Sequence, residues 1–178
     1  LLMQKVEERI VKPTIAGIRH RNYDYKGFVF FGLIEVGGEP FVIEYNCRMG
    51  DPETQSVLPR INNDLVALFR ASWEGRLHEM TLDTDPQAAA TVILVAGGYP
   101  ETYDKGKVID IRNTDNETML FHAGTRLQGG QILTNGGRVI AVTARGQDYK
   151  TALQKCYARV DQISFENKYF RRDIGFDL

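Results

Sequence analysis

The chain has 178 residues, of which 43% are hydrophobic and 25% charged, and its formal net charge is -1. That length buries one good core or divides into two small ones, and so balanced a charge gives no basic field to recruit nucleic acid or an acidic membrane. No apolar run approaches the roughly 20 residues that span a bilayer. Cys47 and Cys156 lie far apart and show no metal-ligand spacing. Both are expected as free thiols in a reducing compartment, a single disulfide being the lesser option. No leader peptide is visible, which makes the cytoplasm the expected location.

The chain opens on LLMQKVEERIVKP, with no initiator Met and no capping residue before Leu1. Leu2, Met3, Val6 and Ile10 repeat at helical spacing, so the expectation is an amphipathic helix stopped by Pro13, in a fragment whose upstream portion is missing. TIAGIRHRNYDYKG then reads as a polar loop or short irregular strand. FVFFGLIEV (28–36) and FVIEYN (41–46) are β-branched and aromatic and flank GGEP. This predicts a hairpin with a slightly long loop. Asp51 before Pro52 predicts a helix N-cap and a first helical residue. Pro59 interrupts that helix, and a second begins at Asp64 with Leu65, Leu68, Phe69 and Trp73 on one face.

HEMTLDTDPQ (78–87) is polar and turn-rich and predicts a boundary. Short strands follow: AATVILVA (89–96), KVIDI (107–111), TMLFHA (118–123), QILT (131–134) and RVIAVTA (138–144). TNGGR (134–138) predicts a tight hairpin turn between the last two. Asp148 caps a helix to about Ile163, with Leu153, Cys156, Tyr157 and Val160 facing inward. The fold class expected is α+β. Two parts are expected on either side of that boundary, an antiparallel hairpin with helices and then short strands with one long helix.

The chemistry concentrates in IEYNCRMGDPETQ (43–55). On a strand, Phe41, Ile43 and Tyr45 point one way while Val42, Glu44 and Asn46 point the other. Glu44 and Asn46 then sit on one face at a strand end, about 7 Å apart by Cα. A carboxylate and an amide oxygen so placed suit one hard divalent cation, which commonly takes only one or two protein oxygens beside phosphates and water. A solvated edge-strand face is the other reading. Arg48 follows, and Gly50 permits a sharp turn into a helix whose first N–H groups would form an anion site. Asp51 reads at least as well as an N-cap as it does as a substrate contact. Glu53 reads equally as a favourable charge at the helix start or as the partner of an ammonium group.

VIEYNCRMGDPETQSVLPRINNDLV resembles the signature region of the phosphoribosylamine–glycine ligase (glycinamide ribonucleotide synthetase) family, which has the ATP-grasp fold. The similarity continues in order through VAGGYPETYDKGKVI, FHAGT, TNGGRVIAVTA and FRRDIGFDL, covering essentially the whole chain. The resemblance implies that residues 1–76 are the last part of an ATP-grasp core and 84–178 the C-terminal domain. Upstream N-terminal and ATP-grasp domains would complete the enzyme, and this chain alone would be inactive. It further implies that ATP phosphorylates the glycine carboxylate and that 5-phosphoribosylamine displaces phosphate from glycyl phosphate. Glu44 and Asn46 would bind the magnesium or manganese bridging the ATP phosphates, Arg48 would steady the acyl phosphate or the transferred phosphoryl group, and Gly50, Asp51, Pro52 and Glu53 would shape the glycine end. Related ligases often carry another metal-binding carboxylate about twelve residues before the glutamate. That position here falls near Gly32, and Glu35 lies by the turn. The competing readings are another ATP-grasp carboxylate–amine ligase and a non-catalytic interface module. His20, His78 and His122 are too scattered for a triad or zinc site. His122 in FHAGT and Asn135 and Arg138 in TNGGR have a cleft-facing reading beside the structural one.

Overall fold

A computed structural model describes residues 1–113 and 115–176, so the last two residues of FRRDIGFDL lie outside the described residues. In chain order, α1 (Leu2–Val6), a π-helical turn (Glu7–Val11) and α2 (Lys12–His20) precede the strands β1 (Phe30–Val36) and β2 (Glu39–Asn46). Next come α3 (Thr54–Val57), a 3-10 turn (Leu58–Arg60), α4 (Leu65–Trp73) and a second 3-10 turn (Leu77–Glu79). The remainder is β3 (Ala88–Val95), β4 (Asp110–Ile111), β5 (Thr118–His122), β6 (Thr125–Gln128), β7 (Gln131–Thr134), β8 (Arg138–Gly146), α5 (Tyr149–Val160) and β9 (Ile163–Ser164). The fold is α+β. It forms two compact units, Leu1–Gly50 with Asn63–Leu82, and Asp51–Asn62 with Asp83–Leu178. No described helix is long and apolar enough to cross a membrane.

In the first unit the opening helix does not stop at Pro13. It continues to His20, with Pro13 in the first turn of α2. Proline lacks an N–H and its ring crowds the carbonyl four residues back; the widened π turn just before it rearranges the hydrogen-bond ladder at that point. Val6 and Ile10 are buried as their spacing predicts, while Met3 is exposed. The hairpin loop is shorter than GGEP suggests. Val36 pairs with Glu39, so Gly37 and Gly38 alone make the turn. Their φ angles of +61° and +79° are the left-handed pair that a two-residue hairpin turn demands and that glycine adopts without penalty. Lys5 donates to the Gly38 carbonyl (2.7 Å) and pairs with Glu39, which Arg9 also contacts, fastening the turn to the helix. The Lys5 hydrogen bond holds the Glu39 carboxyl below its ordinary range.

Asp64 caps α4 as expected, accepting from the N–H groups of Val66 (2.8 Å) and Ala67 (3.3 Å). The helix buries Leu68 and Ala71, whereas Phe69 and Trp73 stay largely exposed. They are met by the loop between α2 and β1: Phe28 packs edge-on to Phe69, and Lys26 lies over the Trp73 ring and donates to its carbonyl.

The second unit is built on the antiparallel sheet β3–β8–β5. Central β8 and its neighbour β3 are nearly continuous apolar runs, and α5 covers them with Ala152, Leu153, Cys156 and Val160. Asp148 caps α5, which ends at Val160 rather than Ile163. The Cys156 thiol donates to the carbonyls of Ala90 and Val142, and burial pushes its pKa up to about 11. TNGGR does not make a hairpin, because β7 pairs with β6 and β8 lies in another sheet. The tight turn is Gly129–Gly130, joining Gln128 to Gln131. KVIDI contributes only Asp110–Ile111 as paired strand, with Val108 bridging Leu133.

Segment 51–62 belongs to this second unit, although it lies far upstream of the predicted boundary. Ser56 shares a hydrogen bond with Thr91 (2.6 Å), which shares another with buried Thr143 (2.7 Å). Arg60 donates to the Asp85 carbonyl, Arg145 pairs with the Asp85 carboxylate, and Ile61 bridges Thr84.

Candidate active site

The end of β2 carries the first half of the candidate residues. Phe31 pairs with Tyr45 and Gly32 with Glu44, but Leu33 then pairs with Val42, leaving Ile43 as the extra residue of a bulge. The strict alternation expected of FVIEYN is therefore broken one residue before the glutamate. Glu44 lies over Gly32, where a Cβ would come within 2.8 Å of the glutamate Cγ. Asn46 Nδ2 donates to Glu44 Oε1 at 3.0 Å, so the two side chains meet as the spacing predicts. Glu44 is exposed and Asn46 half-buried. Tyr45 on the same strand shares a hydrogen bond with Thr14 of α2 and packs against Phe31, which anchors the strand end.

This donor set fits a hard divalent cation: each side chain carries oxygen ligands at an accessible strand end, and Asn46, which turns its amide nitrogen to the carboxylate, keeps its amide oxygen for an ion. No group of three or more acidic, histidine or cysteine side chains suited to a metal occurs among the described residues. Two protein oxygens are what a magnesium-like ion commonly takes when water and phosphate oxygens supply the rest of its shell. The Glu35 carboxylate accepts from the Gly38 N–H (2.8 Å) at the hairpin turn, the opposite end of the hairpin from Asn46.

Beyond the strand, the Tyr25 hydroxyl donates to the carbonyls of Phe28 and Cys47, bracing the exit of β2. Arg48 is exposed and donates to the Met49 carbonyl at 3.0 Å; no hydrogen bond joins it to Glu44 or Asn46 among the described residues. Gly50 is buried and ends the first unit.

Asp51, Pro52 and Glu53 belong to the second unit, so the seven predicted residues are divided between two bodies. Asp51 is not a helix cap. The Asp51–Pro52 peptide is cis, these residues form a turn, and α3 begins at Thr54 with Glu53 in the cap position. At four residues, α3 is too short to build the predicted helix-terminal anion site. The Asp51 carboxylate is instead gripped by Arg138, whose Nη2 donates to Oδ2 (2.8 Å) while Nη1 donates to the Asp51 carbonyl (3.0 Å). Gln55 donates to the other carboxylate oxygen (3.2 Å). Glu53 is exposed, and its carbonyl accepts from the N–H groups of Ser56 and Val57. Its carboxylate takes no hydrogen bond among the described residues. Sequence reasoning missed the Arg138 grip; the only signal was an arginine closing a glycine-rich motif. His122 is exposed and shares a hydrogen bond with Thr125.

Residues 1–54 match the family described as phosphoribosylglycinamide synthetase, ATP-grasp (A) domain, and residues 89–177 match phosphoribosylglycinamide synthetase, C domain. The chain is 48% identical over 177 residues to phosphoribosylamine–glycine ligase of Chlorobaculum tepidum, covering 98% of this chain and 42% of that protein. It is 44% identical over 175 residues to the Vibrio cholerae protein of the same name, covering 97% and 41%. The crystal structure of phosphoribosylamine–glycine ligase from Thermotoga maritima superposes with a TM-score of 0.83 at 33% identity, over 96% of this chain and 42% of that one. The chain thus spans about two-fifths of the length of these relatives.

Proposed function

The chain belongs to the phosphoribosylglycinamide synthetase family, and from that premise we propose that the full-length protein is an ATP-dependent ligase joining glycine to 5-phosphoribosylamine. An oxygen of the glycine carboxylate attacks the γ-phosphorus of ATP, the bond to the β-phosphate oxygen breaks, and ADP leaves with glycyl phosphate formed. The amine of phosphoribosylamine then attacks the acyl carbon. The C–O bond to phosphate breaks, a proton leaves the nitrogen, and the products are glycinamide ribonucleotide and phosphate.

Glu44 and Asn46 are assigned to magnesium or manganese on the strength of their adjacency and their oxygen chemistry. A divalent ion held there supplies positive charge against the phosphate oxygens. Arg48 is assigned to phosphate charge, its guanidinium being exposed and anchored, among the described residues, through the neighbouring carbonyl. Glu53, an exposed carboxylate, is assigned to the glycine ammonium group, and Gly50, Asp51 and Pro52 to the backbone that presents it. The free state of both cysteines accords with a cytoplasmic enzyme.

The observation that carries this reading is the Glu44–Asn46 pair, set at a strand end within a chain matching two domains of one ligase family in order. The test is ADP release by the full-length protein with ATP, magnesium and glycine, with and without fresh phosphoribosylamine. Release that requires both substrates supports the ligase. Turnover indifferent to phosphoribosylamine transfers the chain to another ATP-grasp carboxylate–amine ligase, and no turnover under any combination favours an interface module.

A further inference from the structure

Three glycine-containing motifs that the ligase chemistry leaves unassigned, at 96–100, 122–125 and 134–138, meet at one place in the second unit. The Gly124 N–H donates to the Arg138 carbonyl (2.8 Å), the Asn135 N–H to the Gly124 carbonyl (2.7 Å), and the Ala96 N–H to the Gly137 carbonyl (2.8 Å). The contacts leave no room for side chains. A Cβ on Gly124 would lie 2.5 Å from the Arg138 carbonyl oxygen, and one on Gly137 would lie 2.2 Å from the Tyr99 ring. Three loops are thus packed backbone against backbone around the residue that starts β8.

What they hold is one guanidinium. Arg138 grips two acceptors of the same residue, the carboxylate and the carbonyl of Asp51, 87 positions away in sequence. A half-exposed ion pair contributes little to stability. A two-point grip on side chain and main chain together instead fixes an orientation. The segment so fixed leads two residues on to Glu53, whose exposed carboxylate takes no hydrogen bond among the described residues.

We propose that Arg138 is a positioning residue: mounted on the three glycine loops, it acts through Asp51 to hold the 51–53 turn so that Glu53 receives the ammonium group of the amino-acid substrate. This rests on the ligase reading above. Lysine cannot reproduce the grip, because one ammonium does not present two parallel N–H donors in a fixed plane.

The experiment is steady-state kinetics on the full-length protein for wild type, R138M, R138K, D51N and the double variant R138M/D51N, with thermal unfolding of each. The expected result is a rise in KM for glycine of roughly ten- to a hundred-fold in R138M, with KM for ATP and the unfolding midpoint unchanged. R138K recovers part of the loss, D51N reproduces it, and the double variant is no worse than the worse single one. An unchanged glycine KM in R138M overturns the proposal, as does additive loss in the double variant or a loss spread equally over both substrates. Should R138M fold poorly, R138K and D51N carry the same comparison. A wild type that does not couple ADP release to glycine removes the ligase reading and this role with it. A competent wild type with an unaffected R138M removes this role alone.

Discussion

Gly32 stands directly opposite Glu44 across the hairpin, and the glutamate side chain occupies the space that a side chain on residue 32 would fill. A Cβ at that position, 2.8 Å from the Glu44 Cγ, forces the glutamate to another rotamer and away from Asn46. Gly32→Ala is therefore expected to raise the divalent-ion concentration for half-maximal activity by roughly ten-fold, the scale seen when the support of a metal ligand is disturbed. Metal titration of the full-length variant checks this. The strand itself tolerates alanine, so an unfolded variant would contradict the prediction as surely as an unchanged metal requirement.

Glu44 and Asn46 are chemically unequal members of their pair, and their variants are expected to differ. Glu44→Gln keeps the size and an oxygen but removes the charge, and is expected to lower kcat by roughly a hundred-fold, as loss of a group stabilising phosphoryl charge does. Asn46→Leu removes one neutral oxygen donor and the hydrogen bond that steadies Glu44. A smaller loss, about ten-fold, is expected, partly recovered at high metal concentration. Equal losses that added metal leaves untouched would argue that the pair is structural.

What could be read from the amino acids was local. The Asp64 and Asp148 caps each depend on two or three neighbouring residues, and both are present. The hairpin and the adjacency of Glu44 and Asn46 follow from β-branched and aromatic residues on either side of two glycines. What escaped was set by distant partners. Asp51 beside Pro52 has the local chemistry of a helix start, yet Arg138 claims its carboxylate and α3 begins only at Thr54. The segment after β2 joins the second unit because Ser56, Pro59 and Arg60 find partners at Thr91, Arg145 and Asp85, none within 20 positions of them. Pro13 reads as a stop because the widened turn that lets the helix pass it has no signature of its own.

The two cysteines are expected to separate cleanly under a thiol reagent. Cys47 is exposed beside Asn46 and Arg48, whereas Cys156 is fully buried with its pKa pushed up to about 11, so almost none is thiolate at neutral pH. Native protein labelled at pH 7.5 and mapped by mass spectrometry should carry the reagent on Cys47 alone, with Cys156 reacting only at the rate of unfolding. A bulky adduct on Cys47 is expected to depress ligase activity, and saturating metal with ATP to slow its formation. Prompt labelling of Cys156 would contradict the packing of α5 on the sheet.

Asp148 gives the fold a defined response to acid. The Thr151 N–H, donating at 2.7 Å, and the Thr151 hydroxyl hold the Asp148 carboxyl below its ordinary range. A carboxylate whose pKa is lower folded than unfolded contributes its full stability above the unfolded value, about 3.9. That contribution is lost as the pH falls through the lower folded value. The helix it caps supplies Ala152, Leu153, Cys156 and Val160 to the core, so weakening the cap is felt by the whole second unit. Asp148→Ala is accordingly expected to lower the urea midpoint by the same amount at pH 7 and pH 5. That gap should narrow below about pH 4 and nearly close at the acid end, where the wild-type carboxyl is protonated as well. Urea titrations of both proteins across this range decide the matter: a gap that persists or widens in acid would show that Asp148 stabilises the helix by something other than its charged cap.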